Sequence, residues 1–225
     1  MSLRLKAAGL YKSYNGKTVI ADCSFVLQEG RTYALMGPNG CGKSTLLRIC
    51  ALIEEPDQGE ITYLSGDVAV QKDMALRRRI TLVLPRIGAF NTSVFKNVAY
   101  GLQVRGLPRD AIRNKVLEAL DMVGLGHKKG QNALTLSSGE TQRLGIARAM
   151  VIEPEILFLD EPTASIDRKN SEIIEGIIQG MKKEGRSMVV ITTHDMTQAE
   201  RLADVLMVMD EGKIKENLRR VSEAP

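Results

Sequence analysis

The apolar segments Leu3 to Tyr14 and Thr18 to Leu27 are joined by Asn15-Gly16, a dipeptide that readily takes the positive φ angles of a tight hairpin turn. The chain is therefore expected to open with antiparallel strands. A short apolar run, Thr32 to Met36, leads into a Gly-rich turn and then into Lys43 to Ile53, where Leu46, Leu47, Ile49 and Cys50 recur at helical spacing. That order predicts strand, loop, helix. Further apolar runs at Ile80 to Leu84, Ile156 to Leu159, Met188 to Thr192 and Val205 to Met209 have the length of buried strands, with helical segments between most of them. Such alternation predicts a mainly parallel α/β sheet. In the middle of the chain the pattern changes: Val94 to Val104, Arg109 to Val123 and Ser138 to Ile152 predict helices with no strand between them. This reads as a helical subdomain, residues 88–153, inserted in a core made of residues 1–87 and 154–225. No internal repeat is present, and the residues after Lys215 are expected to be too few for an appended regulatory domain.

At 225 residues the chain suits one domain, with that insertion. Its 44% hydrophobic and 26% charged residues are those of an ordinary globular protein rather than a disordered or fibrous one. The net charge of +4 comes from scattered basic residues, with no run longer than Arg77-Arg78-Arg79. It is weak support for nucleic-acid binding, and equally compatible with anionic lipid, a polyanionic nucleotide or a solvated surface. The cysteines Cys23, Cys41 and Cys50 are odd in number and lack metal-ligand spacing, which points to a reducing compartment. No signal-like stretch and no run of ~20 apolar residues is present, so any membrane role is expected to be peripheral.

Gly37-Pro38-Asn39-Gly40-Cys41-Gly42-Lys43-Ser44 matches G-x-x-x-x-G-K-[ST] between a predicted strand and a predicted helix, the context this motif needs. Glycines let successive backbone N–H groups turn toward an anion, the helix start adds a positive dipole, and Lys43 can reach the terminal phosphates. Ser44 can offer its hydroxyl to Mg²⁺, and Thr45 continues the nucleotide-binding segment. Cys41, next to Lys43 at a helix start, is either a reactive thiol or a small residue filling a tight loop.

Ile156 to Leu159 followed by Asp160-Glu161 places two carboxylates at the carboxyl end of a buried strand, where open α/β sheets bind ligands. Asp160 is the candidate Mg²⁺ ligand, through water. Glu161 is the candidate catalytic group that polarises a water for in-line attack on a γ-phosphate. His194 follows another predicted strand and could contact that phosphate and water, although alone it is an ordinary turn histidine. His127 has no carboxylate or cysteine nearby and no assigned role.

Leu136-Ser137-Ser138-Gly139-Glu140, between the phosphate loop and Asp160-Glu161, resembles the signature motif of the ABC transporter ATPases. The resemblance covers nearly the whole chain, because Asp160-Glu161-Pro162-Thr163, Ser165-Ile166-Asp167 and His194 follow in the family's order. It implies an α/β fold: a P-loop NTPase core with a mainly parallel sheet, an N-terminal antiparallel β subdomain and an inserted α-helical subdomain. It also implies ATP and Mg²⁺ as ligands and two copies paired head to tail, the signature of one closing over ATP held by the other. Ser137 is a plausible N-cap whose hydroxyl, with the Gly139 N–H, would then donate to the γ-phosphate; Ser138 and Glu140 complete that turn. By the same resemblance Asp167 belongs to the loop linking the two sites and Tyr14 stacks on adenine, with Val19 as a neighbour. As a residue alone, Tyr14 is also readable as a strand-end aromatic in the core.

Two positions depart from the family pattern. Ser138 stands where a second glycine is usual, and Pro85, in Ile80-Thr81-Leu82-Val83-Leu84-Pro85-Arg86, stands where a glutamine is usual. By resemblance that glutamine touches Mg²⁺ and the attacking water and couples the site to the membrane partner. Proline offers neither a side-chain ligand nor an N–H, and it restricts the residue before it, which predicts weakened turnover or coupling. A stand-alone ATP-binding chain of this length resembles importer subunits, the whole-length likeness being to tungstate, molybdate or phosphate uptake. That reading implies transmembrane permease subunits as partners, indirectly a solute-binding protein, no nucleic acid, and a place at the cytoplasmic face of the cell membrane. The alternatives are an ATPase for efflux or lipoprotein release, and a non-transport ABC ATPase acting on nucleic acid. Against the last stand the single phosphate loop and the lack of a sustained heptad pattern.

Overall fold

The computed structural model of the protein describes residues 3–164 and 166–220. Ser165, one of the positions carrying the family resemblance, lies outside the described residues.

Strand β1 (Leu3–Tyr14) pairs antiparallel with β2 (Lys17–Leu27) through the hairpin predicted at Asn15-Gly16. Leu3, Leu5 and Ala7 alternate inward; a register shift before Leu10 moves the buried set by one residue, so Leu10 is buried in turn. Next come β3 (Thr32–Met36), α1 (Lys43–Cys50), β4 (Gln58–Ser65), β5 (Val68–Ala69), α2 (Met74–Arg77) and β6 (Ile80–Val83). The helix predicted to run to Ile53 stops at Cys50. Leu52 takes a φ of 57°, and the N–H groups of Ile53 and Glu54 both donate back to the Arg48 carbonyl, which reverses the chain.

The remaining α-helices and strands are α3 (Val94–Val104), α4 (Arg109–Met122), α5 (Ser138–Met150), β7 (Ile156–Leu159), α6 (Arg168–Glu184), β8 (Met188–Thr193), α7 (Met196–Leu202), β9 (Val205–Asp210) and β10 (Lys213–Arg220). Two sheets result, ordered β2-β1-β4-β5 and β10-β9-β3-β8-β7-β6. In the second, β9, β3, β8 and β7 run parallel, as expected for strands that read as unbroken apolar runs because both faces are covered. The residues of β7 and β8 are buried throughout. The α/β fold expected from the sequence is therefore present, with its antiparallel N-terminal sheet. What the apolar pattern did not reveal is β4, antiparallel to β1 on the side away from β2. It starts with Gln58-Gly59-Glu60, and only Ile61 and Tyr63 are buried, too short an alternation to stand out.

The chain divides into two compact units. One comprises the residues up to Leu82, Glu155–Glu161 and those from Met181 onward; the other comprises Val83–Pro154 and Pro162–Gly180. In the first, Leu5, Leu10, Ile20, Leu46, Leu47, Tyr63 and Phe158 belong to one apolar core joining sheet and helix. In the second, Val94, Val98, Leu102, Ile112, Val116, Leu120, Leu144 and Ile146 are the buried faces of α3, α4 and α5. Buried Asn97 ties down the entry to α3: its side chain accepts from the Phe90 N–H at 2.8 Å and donates to the Ser93 carbonyl at 3.0 Å.

Candidate functional site

Parallel pairing of Met36 with Thr193 and of Leu159 with Ile191 brings the carboxyl ends of β3, β7 and β8 to one edge of the sheet. The phosphate loop leaves that edge after Met36, Asp160 after Leu159, and His194 after Thr193. The loop is held by backbone rather than by side chains. A Cβ on Gly37, at φ 153°, would collide with the Met209 carbonyl of β9. A Cβ on Gly42, at φ 111°, would lie 2.7 Å from the Val19 carbonyl of β2. Both fixed glycines of the motif are thus demanded by close approach of neighbouring strands. Pro38, Asn39 and Gly40 form the exposed tip, whereas Cys41 and Thr45 are buried and Ser44 half-buried. Burial of Cys41 beside Gly37 favours its reading as a small filling residue.

Lys43 is only 5% exposed, and its Nζ donates to the carbonyls of Gly37 at 2.7 Å and Pro38 at 3.0 Å. Its charge is therefore held within the loop by peptide dipoles. Gly42 provides no side-chain cap for α1, and the first turn contains no acidic residue. The first N–H groups of that helix thus remain available to an anion.

Asp160 is 2% exposed, and the fully buried Thr192 on β8 explains how it is tolerated. The Thr192 hydroxyl donates to Asp160 Oδ1 at 2.8 Å and accepts the Glu161 N–H at 2.8 Å. One threonine thereby sets both carboxylate residues, with Glu161 taking a φ of 48°. Sequence reasoning missed Thr192; its only signal was a polar residue ending a buried apolar run. The Glu161 carboxylate and the exposed His194 ring have no partner among the described residues. No cluster of three or more His, Cys, Asp or Glu residues that could hold a metal exists among the described residues. A cation here would have to use the Ser44 hydroxyl, Asp160, and oxygens brought by a nucleotide and water. Hard oxygen donors that leave most of the octahedral shell to nucleotide and water suit Mg²⁺, and Thr192 uses only one oxygen of Asp160.

Tyr14 ends β1 and is 38% exposed, so it is not a core aromatic. Its hydroxyl donates to the Glu54 carboxylate and accepts from Arg48 Nη2 at 3.4 Å. These partners, too, were absent from the sequence reading.

In the helical unit Ser137 caps α5 as expected. Its Oγ accepts the Glu140 N–H at 3.3 Å, and its own N–H donates to Glu140 Oε2 at 3.0 Å, a reciprocal capping box. The cap uses a lone pair of the Ser137 hydroxyl and leaves its proton to give. Ser138 is exposed, while Gly139 is buried against the Asn170 side chain of α6. Lys128, 2.7 Å from Glu140, together with the Ser137 N–H, holds the Glu140 carboxyl below its ordinary pKa. Asp167, exposed, accepts from the Asn170 N–H at 3.0 Å and from the Asn170 side-chain amide, which lowers its pKa. Arg143 Nε donates to Asn170 Oδ1 at 2.8 Å. Asn170 and Arg143 therefore join Asp167 to the signature turn, a connection that the sequence did not show. Pro85 is exposed just after β6, and Arg148 of α5 anchors the segment behind it, donating to the Gly88 carbonyl at 2.8 Å and lying 4.7 Å from the Phe90 ring centroid.

The sequence model of the ABC transporter family matches residues 20–164, which contain the phosphate loop, the signature turn and Asp160-Glu161. The chain belongs to the ABC transporter family. This ABC ATPase binds nucleotide and hydrolyses ATP. It is 40% identical over 224 residues to the phosphate import ATP-binding protein PstB 2 of Natronomonas pharaonis, covering 94% of this chain and 78% of that one. It is 37% identical to the tungstate uptake system ATP-binding protein TupC of Peptoclostridium acidaminophilum, covering 95% of this chain and 98% of that one. Among solved structures it resembles the ATP-binding cassette MJ0796, dimeric in a post-hydrolysis state with ADP and phosphate. That match has a TM-score of 0.85 and 26% identity over 96% of this chain and 98% of that one. The protein cbiO1 of Clostridium perfringens, part of the ABC transporter complex cbiONQ, gives a TM-score of 0.83 at 32% identity over 96% and 88% of the two chains.

Proposed function

We propose that this ABC ATPase energises import of a solute through a separate transmembrane permease, working as a head-to-tail dimer at the cytoplasmic face of the membrane. Its 225 residues are read as a single ABC ATPase domain, the core from residues 1–87 and 154–225 and the helical part from 88–153. The observation that carries the site reading is the shared sheet edge of the phosphate loop, Asp160, Glu161 and His194. Likeness to phosphate, tungstate and anion import subunits supports import, and an oxyanion as the solute. No described helix is long and apolar enough to cross a membrane, which fits a peripheral subunit whose permease is a separate chain. A solute-binding protein would deliver the solute to that permease.

In this reading the terminal phosphates replace the Gly37 and Pro38 carbonyls as partners of Lys43, and the uncapped N–H groups of α1 close on the β-phosphate side. Ser44 and Asp160 would hold Mg²⁺, which when bound neutralises phosphate charge. Glu161, fixed through its N–H by Thr192 but with its carboxylate free, accepts a proton from the attacking water, and His194 orients the γ-phosphate. The Ser137 hydroxyl and Gly139 N–H of a second copy complete the phosphate shell. Pro85 contributes no side-chain ligand, so nucleotide binding is retained while turnover or its coupling to the permease is reduced.

The reading is tested by recovering the tagged chain from membranes of its own cells. A permease should co-purify, and ATP hydrolysis in the complex should rise above that of the isolated chain. Recovery with nucleic acid, or with no membrane protein, would count against it.

A further inference from the structure

We infer that Arg48 and Glu54 are a positioning pair that locks the Tyr14 ring as an adenine platform and ties it to the phosphate-loop helix. The inference rests on the reading of Tyr14 as the residue that stacks on adenine.

The Tyr14 hydroxyl has both of its hydrogen-bonding roles filled, giving its proton to Glu54 and accepting from Arg48 Nη2 at 3.4 Å. A phenol held on both sides cannot swing its ring without breaking a bond. Arg48 and Glu54 are themselves paired, Nε to Oε2 at 3.1 Å, and the same Arg48 Nη2 donates to Thr45 Oγ1 at 3.1 Å. Thr45 follows Ser44 directly, so a single guanidinium spans from the base side to the first turn of the phosphate-loop helix. The backbone makes this pairing local: the reversal after α1, with the Ile53 and Glu54 N–H groups on the Arg48 carbonyl, returns Glu54 beside Arg48.

Lys12 completes the arrangement. Its Nζ is 3.6 Å from Glu54 and 2.9 Å from Asp57, and it stands over one face of the Tyr14 ring, 5.7 Å from the centroid. That face is taken by a cation, and the other is left to a flat neutral partner such as a purine. The hairpin carrying Tyr14 also touches the loop itself, since the Val19 carbonyl lies where a Cβ on Gly42 would stand. The side chains of Lys12, Arg48 and Glu54 are 16%, 33% and 21% exposed, so the network is more sheltered than a free surface pair. Burial works to raise the Glu54 carboxyl, but hydrogen bonds from Tyr14 and Arg48 outweigh it and keep its pKa below the ordinary value. A platform fixed before the nucleotide arrives spares the ordering cost of binding.

The test separates base recognition from phosphate recognition. In the full chain, affinities for ATP and for inorganic tripolyphosphate are measured by calorimetry for Glu54→Ala, Glu54→Gln, Tyr14→Phe and Tyr14→Ala, alongside melting temperature. Glu54→Ala and Tyr14→Phe should each weaken ATP roughly tenfold, within the range of base–aromatic stacking, and leave tripolyphosphate unchanged. The double variant should be no worse than either single one, as coupled partners require. Glu54→Gln, which still accepts the phenol proton, should stay close to the unaltered chain. Equal loss for both ligands with a lowered melting temperature would make the pair a structural brace and overturn the inference. If Tyr14→Ala weakens ATP while Glu54→Ala does not, the pair has no positioning role; if Tyr14→Ala leaves ATP affinity intact, the adenine reading itself falls.

Discussion

The phosphate loop and the signature turn are both helix starts that the proposed function assigns to phosphate, and they treat their free N–H groups in opposite ways. At α1 there is no side-chain cap, the preceding loop is pressed against the backbone of neighbouring strands, and Lys43 is bonded to carbonyls that a phosphate can displace. At α5 a reciprocal cap between Ser137 and Glu140 is complete without any ligand, and Lys128 reinforces it. The first site is built to exchange internal bonds for ligand bonds. The second keeps its shape whether or not a phosphate is present, as the proposed pairing with a second copy requires. A helix N-terminus therefore does not by itself say whether it binds or merely presents; the capping does.

The largest effect expected on the loop side is at Glu161. Glu161→Gln should lower ATP hydrolysis on the order of 10²- to 10⁴-fold, as loss of a general base does, while equilibrium ATP binding stays unchanged. Loss of both together would mean that the residue helps to hold nucleotide. Next, Lys43→Met should weaken ATP about 10- to 100-fold in a binding titration, the worth of one hydrogen bond to a charged group at roughly 1.5–3 kcal/mol. Unchanged affinity would show that its bonds to Gly37 and Pro38 are its whole role.

Pro85→Gln should raise steady-state turnover on the order of tenfold, less than one well-placed transition-state donor can contribute. Equal rates and equal stimulation by the permease would end that reading. On the signature side, Ser137→Ala should cost about 1 kcal/mol of stability as a lost cap, abolish concentration-dependent hydrolysis, and leave ATP binding to the single chain intact. If hydrolysis tracked only the lowered melting point, the turn would be structural. The smallest effect concerns acid. Because the Glu140 carboxyl lies below its ordinary pKa, its stabilisation is present above the unfolded value of about 4.3 and is lost as pH falls through the lower folded one. Denaturation between neutral pH and acid should accordingly be shallower in Glu140→Gln.

Much of the molecule was legible because its signals are periodic or punctuated. The hairpin at Asn15-Gly16, the strands around Asp160 and His194, and the helices at 94–104 and 138–150 stand close to where apolar spacing placed them. Strand β4 was not legible, having only two buried residues to mark it. Nor were Thr192, Asn170, Arg143, Arg48 and Glu54, whose parts depend on partners far off in the chain, Glu54 on Tyr14 40 positions before it, and leave no local pattern.

The sequence by itself determined the chemistry on offer: a glycine loop with lysine and serine, two carboxylates after a buried strand, and a serine placed to cap a helix. These follow from backbone sterics and side-chain type, which act over a few neighbouring residues. Tertiary structure alone decided why Gly37 and Gly42 cannot be replaced, what holds Asp160 and Glu161, and what keeps Tyr14 in place. Those answers reside in contacts between segments far apart in the chain, and only the register of the folded sheets and the chain reversal after α1 bring such atoms within bonding distance.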